Sequence, residues 1–451
     1  MFAFMGQLRL RRRPTCRQIA AFGASAALMI AGCSTKQTAS APNSSTTTSA
    51  LRASPTAPPV DIVISPALKT IDQAALQSTV TATAKDLLIP GAVVLLRTPR
   101  GEFAVNYGTT QLGMNTPPSA DTHFRIASNT KTMTSAIIMQ LAQEDKLSLG
   151  DPVSKYVSGV PNGDNITIAE LLEMRSGLYN YTDAPEFSAS LDRDPTTVWT
   201  PVELLAIAFE HPANSPPDTA YEYNNTNYAL LGLVVEKVDG RPLATAMHDR
   251  LFRPLGMTST MLPAATSNTI PKPYSHGYLY GSSSVALVGK PPYSPVVQAA
   301  ARAGTLQPND YTDLNHSFAA AAGGVISTAS DLTTWIRALV TGRVFNAEYQ
   351  RRWLDSVQLE DPNKPEGLWY GYGIAQLHWG PNTFYFHGGE TPGYNSFIGY
   401  DPTNQVTLVV WTNLTVSLDE SPTANALMLK VLDQIYIVSP IQPSPAPNTT
   451  P

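Results

Sequence analysis

An α/β fold of the α+β kind is what this sequence predicts: one mixed antiparallel sheet of five or more strands, flanked by helices and carrying an inserted, mainly helical lobe. Two strand-like runs come early, at 92–96 and 102–107, across a Pro99-Arg100-Gly101 turn. Three come late, at 384–387, 396–400 and 406–411. The text between them is helical pieces broken by Pro- and Gly-rich loops, with few strand-like runs. Early and late strands separated by helices close most simply into one sheet interrupted by a lobe.

The front end reads as a processing signal. Arg9, Arg11, Arg12, Arg13 and Arg17 make a basic start, and 19–31 is an apolar run too short to span a bilayer comfortably. It ends in Ile30-Ala31-Gly32-Cys33, which resembles the lipobox of bacterial lipoproteins. That resemblance implies cleavage before Cys33, acylation of its thiol, and an extracytoplasmic body held to the bacterial cell membrane by lipid alone. The alternative is an uncleaved N-terminal anchor, which also leaves the body outside the cytoplasm. Processing removes five of 30 basic residues and no acidic ones, leaving 25 against 35. An acidic body without Lys/Arg runs argues against nucleic acid and against electrostatic docking on anionic lipid. The two cysteines are Cys16 and Cys33, so the mature body has neither a disulfide nor a thiol nucleophile.

Residues 34–59, rich in Ser, Thr, Ala and Pro, bury too little to order themselves and read as a tether. A domain over 60–437 follows, with a sheet lobe (60–146 and 325–437) around a helical lobe (147–324), and 438–451 is a Pro-rich tail. Helices are expected over 66–88 (ended by Pro90-Gly91), 132–143, 167–174, 226–238, 332–340 (capped from Ser327-Thr328) and 425–436. Residues 263–312, rich in Pro, Ser, Gly and Tyr, read as a long surface excursion, and Gly388 through Gly393 as a turn between strands.

The chemistry is declared at Phe124-Arg125-Ile126-Ala127-Ser128-Asn129-Thr130-Lys131. If the helix starts near Ser128, Ser128 and Lys131 share a face one turn apart. A serine hydroxyl needs a base, and lysine serves when burial or neighbouring positive charge lowers its pKa. No other lysine of the chain's eleven has a serine three residues before it. The competing reading is an N-capping serine with a solvated lysine. Two further patterns join it: Tyr223-Asn224-Asn225 ahead of a helix, and His387-Gly388-Gly389 at the end of an apolar strand.

In this order the three patterns resemble the serine β-lactamase and penicillin-binding-protein superfamily, more narrowly its class C β-lactamase, D-alanyl-D-alanine carboxypeptidase and esterase branch. Arg175-Ser176-Gly177-Leu178 and Leu251-Phe252-Arg253-Pro254-Leu255-Gly256-Met257 support it, over roughly 65–437. The resemblance implies a β-lactamase-like fold and an acyl-enzyme on Ser128, with Lys131 as its base partner. It implies Tyr223 as proton relay to the leaving atom and Asn225 as contact to Lys131 and substrate. His387 would be a positive or hydrogen-bonding group beside the tyrosine. The backbone N–H groups of Ser128 and Glu390 would form the oxyanion hole, and Gly388 and Gly389 would let substrate approach the strand edge. A phenol is no base near neutrality unless cations depress it, so Lys131 and a protonated His387 are expected to lower Tyr223. As alternatives, Tyr223 is a buried aromatic with its hydroxyl on backbone, and His387 a core imidazole with a structural partner.

The sequence departs from carboxypeptidases at Gly388, which has no hydroxyl, and at Glu390, whose charge repels a carboxylate. That disfavours D-alanyl-D-alanine trimming and strong β-lactam hydrolysis, and leaves esters or amides with neutral or bulky acyl groups. Expected partners are a small-molecule or peptide acyl substrate, with peptidoglycan stem peptides and β-lactams as candidates, and no nucleic acid. No cofactor and no metal are expected, since no His-Glu-x-x-His occurs; no Gly-x-Ser-x-Gly supports another hydrolase fold. His123 reads as structural and Arg175 is left unassigned. The rival to a hydrolase is a lipoprotein that binds penicillin or cell wall and acylates without efficient turnover.

Overall fold

The computed structural model describes residues 67–288 and 293–437. Cys33, the signal, the tether and the tail lie outside them.

Helix α1 (Gln73–Asp86) starts later than the sequence suggests, because Asp72 caps it by accepting from the amides of Ala74 and Ala75. Strands β1 (Gly91–Thr98) and β2 (Gly101–Gly108) form the expected hairpin. The helix that carries Lys131, α2 (Thr130–Gln143), begins two residues after Ser128. Helix α3 (Ile168–Leu172) opens with a capping box between Thr167 and Glu170, and α4 (Asn225–Asp239) is capped by Asn224 and closed by Gly240 in the left-handed region. Thr328 caps α5 (Ala329–Val340). Two-residue strands β3 (Gln358–Leu359) and β4 (Trp369–Tyr370) lead to β5 (Ala375–Trp379), β6 (Asn382–Thr391), β7 (Tyr394–Asp401) and β8 (Val406–Thr412), and α6 (Thr423–Ile435) closes the domain.

Among the described residues the sheet has eight strands in the order β2-β1-β8-β7-β6-β5-β4-β3, and every pairing is antiparallel, in keeping with the expected antiparallel sheet of five or more strands. All residues of β7 and β8 are buried, so the sheet is covered on both faces. Successive strand side chains point to opposite faces. Thr412 accordingly meets Thr423 of α6 at 2.6 Å between hydroxyls, while Trp411 stacks on Phe124 of the serine segment, ring centroids 4.8 Å apart. The serine segment is thus laid on the sheet by an aromatic pair worth about 1 kcal/mol beyond its buried area.

Two expectations are corrected. Gly388 and Gly389 are not a turn: β6 runs through them, because Gly388 pairs with Phe397 and Gly389 with Ser396, and the turn is Pro392-Gly393. Residues 263–312 are not merely a surface excursion, since Tyr278 and Leu279 are buried and the Tyr278 amide reaches the carbonyls of Gly393 and Asn413. Phe124–Arg125 pairs with Ile326–Ser327, a short ladder too brief to read as strands in text.

Candidate active site

Ser128 sits in a single 3₁₀ turn, Ala127–Asn129, between the Phe124–Arg125 strand and α2. The turn is pinned from three sides. The Ile126 amide donates to Val325 O at 3.0 Å, Asn129 Nδ2 to Ser396 Oγ at 2.8 Å, and Ser396 Oγ to Ile126 O at 3.3 Å. Ala127 is held at φ +50°, a conformation that costs a non-glycine residue of order 1 kcal/mol and that clusters at functional sites. That strained residue directly precedes the candidate nucleophile.

Lys131 follows one turn later, and nothing of it reaches solvent. Its Nζ lies 3.0 Å from Ser128 Oγ, 2.7 Å from Asn225 Oδ1 and 2.8 Å from Ala322 O. Burial pushes its pKa well below the ordinary lysine value. The three contacts say what the neutral form does. A carbonyl and an amide oxygen can only accept, so they take the two N–H groups of a neutral amine. The lone pair then faces Ser128, whose hydroxyl donates to it. This geometry is compatible with a neutral amine accepting the Ser128 proton.

Tyr223 and Asn225 arrive together at the start of α4. The Asn225 amide N–H donates to Asn180 Oδ1 at 3.0 Å and its side-chain Nδ2 to Thr182 Oγ1 at 3.0 Å, which turns Oδ1 toward Lys131. Lys131 Nζ stands 4.8 Å from the Tyr223 ring centroid, and the Tyr223 hydroxyl is hydrogen-bonded to the Ser128 side chain. Burial drives the Tyr223 pKa well above that of a free phenol; the bond to Ser128 opposes this and the charge of Glu390 adds to it. The expected depression of Tyr223 is not found. Desolvation outweighs any nearby cation, because the cation itself is a buried amine held toward its neutral form.

His387, fully buried on β6, is also corrected. Burial, with Lys131 adding to it, lowers its pKa to about 3, so it is neutral rather than a positive group. Its Nδ1 is 2.7 Å from Gly388 O and its Nε2 is 3.1 Å from the Tyr370 hydroxyl. Its ring lies beside that of Tyr223, centroids 6.3 Å apart. Ser128, Lys131, Tyr223, Asn225 and His387 therefore lie together, with His387 meeting Tyr223 ring to ring.

The strand edge completes the arrangement. The two-residue turn after Thr391 makes the 391/394 pair a hydrogen-bonded one, so by antiparallel alternation the amide of Glu390 and the carbonyl of Gly388 point away from β7. On that side β5 pairs only as far as Phe386, and the serine turn packs on the sheet face that Gly389 and Ser396 share. Gly389 is what allows this: a Cβ there would stand 2.2 Å from Ile126 O and 2.8 Å from Asn129 Nδ2. The close approach it permits is to the serine turn. Tyr181, Thr182, Leu287, Phe318, Ala319 and Glu390 line the small cleft over Ser128, and among the described residues no arginine does. Tyr181 and Phe318 also wall a larger, mostly apolar hollow between α4 and the 262–267 loop. Among the described residues no cluster of three His, Cys, Asp or Glu could hold a metal.

Sequence reasoning missed Tyr370, Asn180, Thr182 and the Ala322 carbonyl. Trp369-Tyr370-Gly371-Tyr372-Gly373 was a visible signal for the first; a backbone carbonyl leaves none. Arg175 is buried beside β3, donating to Leu359 O at 2.9 Å, and His123 bonds Pro273 O at 3.0 Å, a structural role as expected.

A family profile described as Beta-lactamase matches residues 76–433. The unguisins hydrolase ungD' of Aspergillus campestris is 26% identical over 78% of this chain, which spans 63% of that relative. The putative penicillin-binding protein PbpX of Bacillus subtilis is 23% identical, with 77% of this chain and 75% of that protein covered. Among solved structures, a D-stereospecific amidohydrolase from Streptomyces sp. superposes with TM-score 0.67 at 28% identity, covering 79% of this chain and 97% of that one.

Proposed function

Because the chain belongs to the Beta-lactamase family of serine hydrolases, we propose that it cleaves ester or amide bonds through an acyl-enzyme on Ser128. The observation that carries this is the set of three contacts at Lys131 Nζ, which leave a neutral amine's lone pair aimed at Ser128 Oγ. In this reading Lys131 takes the Ser128 proton as Oγ attacks the carbonyl carbon. The amides of Ser128 and Glu390 receive the oxyanion, worth on the order of a hundredfold in rate for each donor. Tyr223, a neutral phenol, gives its proton to the departing nitrogen or oxygen and recovers one from the Lys131 ammonium. Water then attacks the acyl carbon, and the same groups run in reverse to release the acid.

The cleft favours an acyl group that is neutral or cationic beside the scissile bond. Glu390 lines it and, among the described residues, no arginine does, while Tyr181 and Phe318 offer apolar surface. The similarity to a D-stereospecific amidohydrolase supports amides or esters of D-amino acids as the first substrates to try. The rival reading, a slow acylating protein that holds β-lactams or cell-wall peptides, draws on the likeness to PbpX. An anchor at Cys33 and an extracytoplasmic body remain part of the proposal on sequence grounds alone.

The test is intact-protein mass spectrometry beside turnover, with chromogenic esters, D-amino-acid amides and a fluorescent penicillin. Turnover with a transient adduct on Ser128 supports the hydrolase, and a lasting adduct without turnover supports the rival. Adduct or turnover surviving in Ser128→Ala would defeat both. Labelling with a fatty-acid analogue, lost in Cys33→Ala, tests the anchor.

A further inference from the structure

We propose that Tyr370 is a positioning residue of this site, which fixes the tautomer and ring orientation of His387 and thereby sets the β6 edge that faces Ser128. The inference rests on the acyl-enzyme reading for its kinetic consequence, though not for its structural one. A neutral imidazole has one N–H and one lone pair. Gly388 O can only accept, and it stands 2.7 Å from Nδ1, so Nδ1 carries the hydrogen. Nε2 is then an acceptor, and the Tyr370 hydroxyl at 3.1 Å is its donor. The Tyr228 hydroxyl is hydrogen-bonded to Tyr370 in turn, and it also lies 3.3 Å from Leu172 O. With the Tyr370 hydrogen given to Nε2, Tyr228 donates to Tyr370, and hydrogen bonds lead from α4 through two phenols and an imidazole to the carbonyl of Gly388.

That carbonyl projects from the same edge of β6 as the amide of Glu390, by the alternation already described. A fixed His387 ring therefore holds the peptide next to the proposed oxyanion donor. Tyr370 is itself anchored independently of His387. The turn that follows it packs on α2: Ser135 Oγ donates to Tyr372 O at 2.6 Å, and Gly373, at φ +71°, brings its backbone so close that a Cβ would lie 3.1 Å from Lys131 O. The Tyr370 ring is also set edge-on to that of Tyr223, centroids 6.4 Å apart. One buried phenol, 1% exposed, thus ties the helix bearing Lys131 to the strand bearing His387 and Glu390. Without its hydroxyl, Nε2 is a buried acceptor lacking this donor, and the bias toward hydrogen on Nδ1 weakens.

The experiment pairs kinetics with histidine nitrogen NMR on the whole protein. Tyr370→Phe is expected to lower kcat by roughly 10–100-fold while KM stays within about threefold, the mark of a loss felt in the transition state. His387→Asn keeps an N–H near the Nδ1 position but has no Nε2; if Tyr370 acts through the imidazole, adding Tyr370→Phe to it changes kcat by less than about twofold. The His387 resonances of the unaltered protein should report hydrogen on Nδ1, and those of Tyr370→Phe a shift toward the Nε2–H form. Multiplying effects in the double variant, unchanged kcat in Tyr370→Phe, or an Nε2–H tautomer at the outset would overturn the proposal. Failure of the acyl-enzyme reading looks different: no adduct forms on Ser128 in the unaltered protein, and the tautomer measurement still decides the role of Tyr370.

Discussion

Gly389→Ala is the substitution on which the geometry speaks most sharply. The added Cβ would stand 2.2 Å from Ile126 O, 2.4 Å from Ser396 Oγ and 2.8 Å from Asn129 Nδ2, all of them buried. The first of these falls short of an ordinary carbon–oxygen contact, about 3.3 Å, by roughly 1 Å. Ile126 O is backbone and already accepts from Asn129 Nδ2 and Ser396 Oγ, so it cannot swing aside without breaking both bonds. The strand and the serine turn must part instead. Ser128 lies two residues from one side of the contact and Glu390 one residue from the other. Both proposed oxyanion donors therefore move with it. A misplacement of about 1 Å at reacting groups costs on the order of a hundredfold, and overpacking of this kind costs about 1–3 kcal/mol of stability. We expect kcat/KM on a chromogenic ester to fall roughly a hundredfold, with a lowered thermal midpoint. Gly150→Ala, whose Cβ would meet only Ser148 Oγ at 3.9 Å, is the matched control and should change neither. If Gly389→Ala kept kcat/KM within about threefold at an unchanged midpoint, strand and serine turn would not be locked as described.

Asn225→Ala removes an acceptor that the ammonium form of Lys131 uses more strongly than the amine does, so the rising limb of kcat/KM against pH should move to lower pH while kcat falls about tenfold or more. His387, at about 3, is neutral at both ends of the working range; a limb between pH 6 and 7 that vanishes in His387→Asn would contradict this. Burial raises Glu173 and Glu360 to about 7 each, above their unfolded value, so the stability they contribute is present below pH 4.5 and lost as pH rises through 7. Glu360→Gln should therefore raise the thermal midpoint at pH 8 by roughly 2–4 °C, with the gain shrinking toward pH 4. Far from the site, Arg250 joins Glu144 at 2.6 Å to the nearly buried Asp239, and Arg250→Ala should cost about 2 kcal/mol in chemical denaturation while leaving kcat unchanged.

Ser128, Lys131, Tyr223, Asn225 and His387 were legible because local pattern states them: a serine one turn before a lysine on an apolar helix, and two short signatures in a known order. The eight-strand sheet was legible only in part. Its outer strands β3 and β4 have two residues each, below the length at which alternation can show. The glycines of β6 were misread as a turn because Gly-Gly in text is a local signal, whereas their role is set by a turn of backbone from elsewhere in the chain. Protonation was misread for the same kind of reason. Charges near Tyr223 can be guessed from sequence, but the depth at which they sit cannot, and depth decides the sign here.

That depth also explains why the three protonic groups can work together. Burial lowers Lys131, raises Tyr223 and lowers His387, so each is driven to its uncharged form. A site of charged groups in the same place would need partners to offset desolvation, and Lys131 has neutral oxygens around it rather than a carboxylate. With all three neutral, the first proton transfer, from Ser128 to Lys131, is the step that creates charge. The ammonium so formed has three acceptor positions already in place, and the matching negative charge grows where the amides of the serine turn and the β6 edge converge. The strain at Ala127, the glycine at 389 and the phenol at 370 act at that one junction between helix and strand, which is why substitutions there should alter kcat before they alter substrate binding.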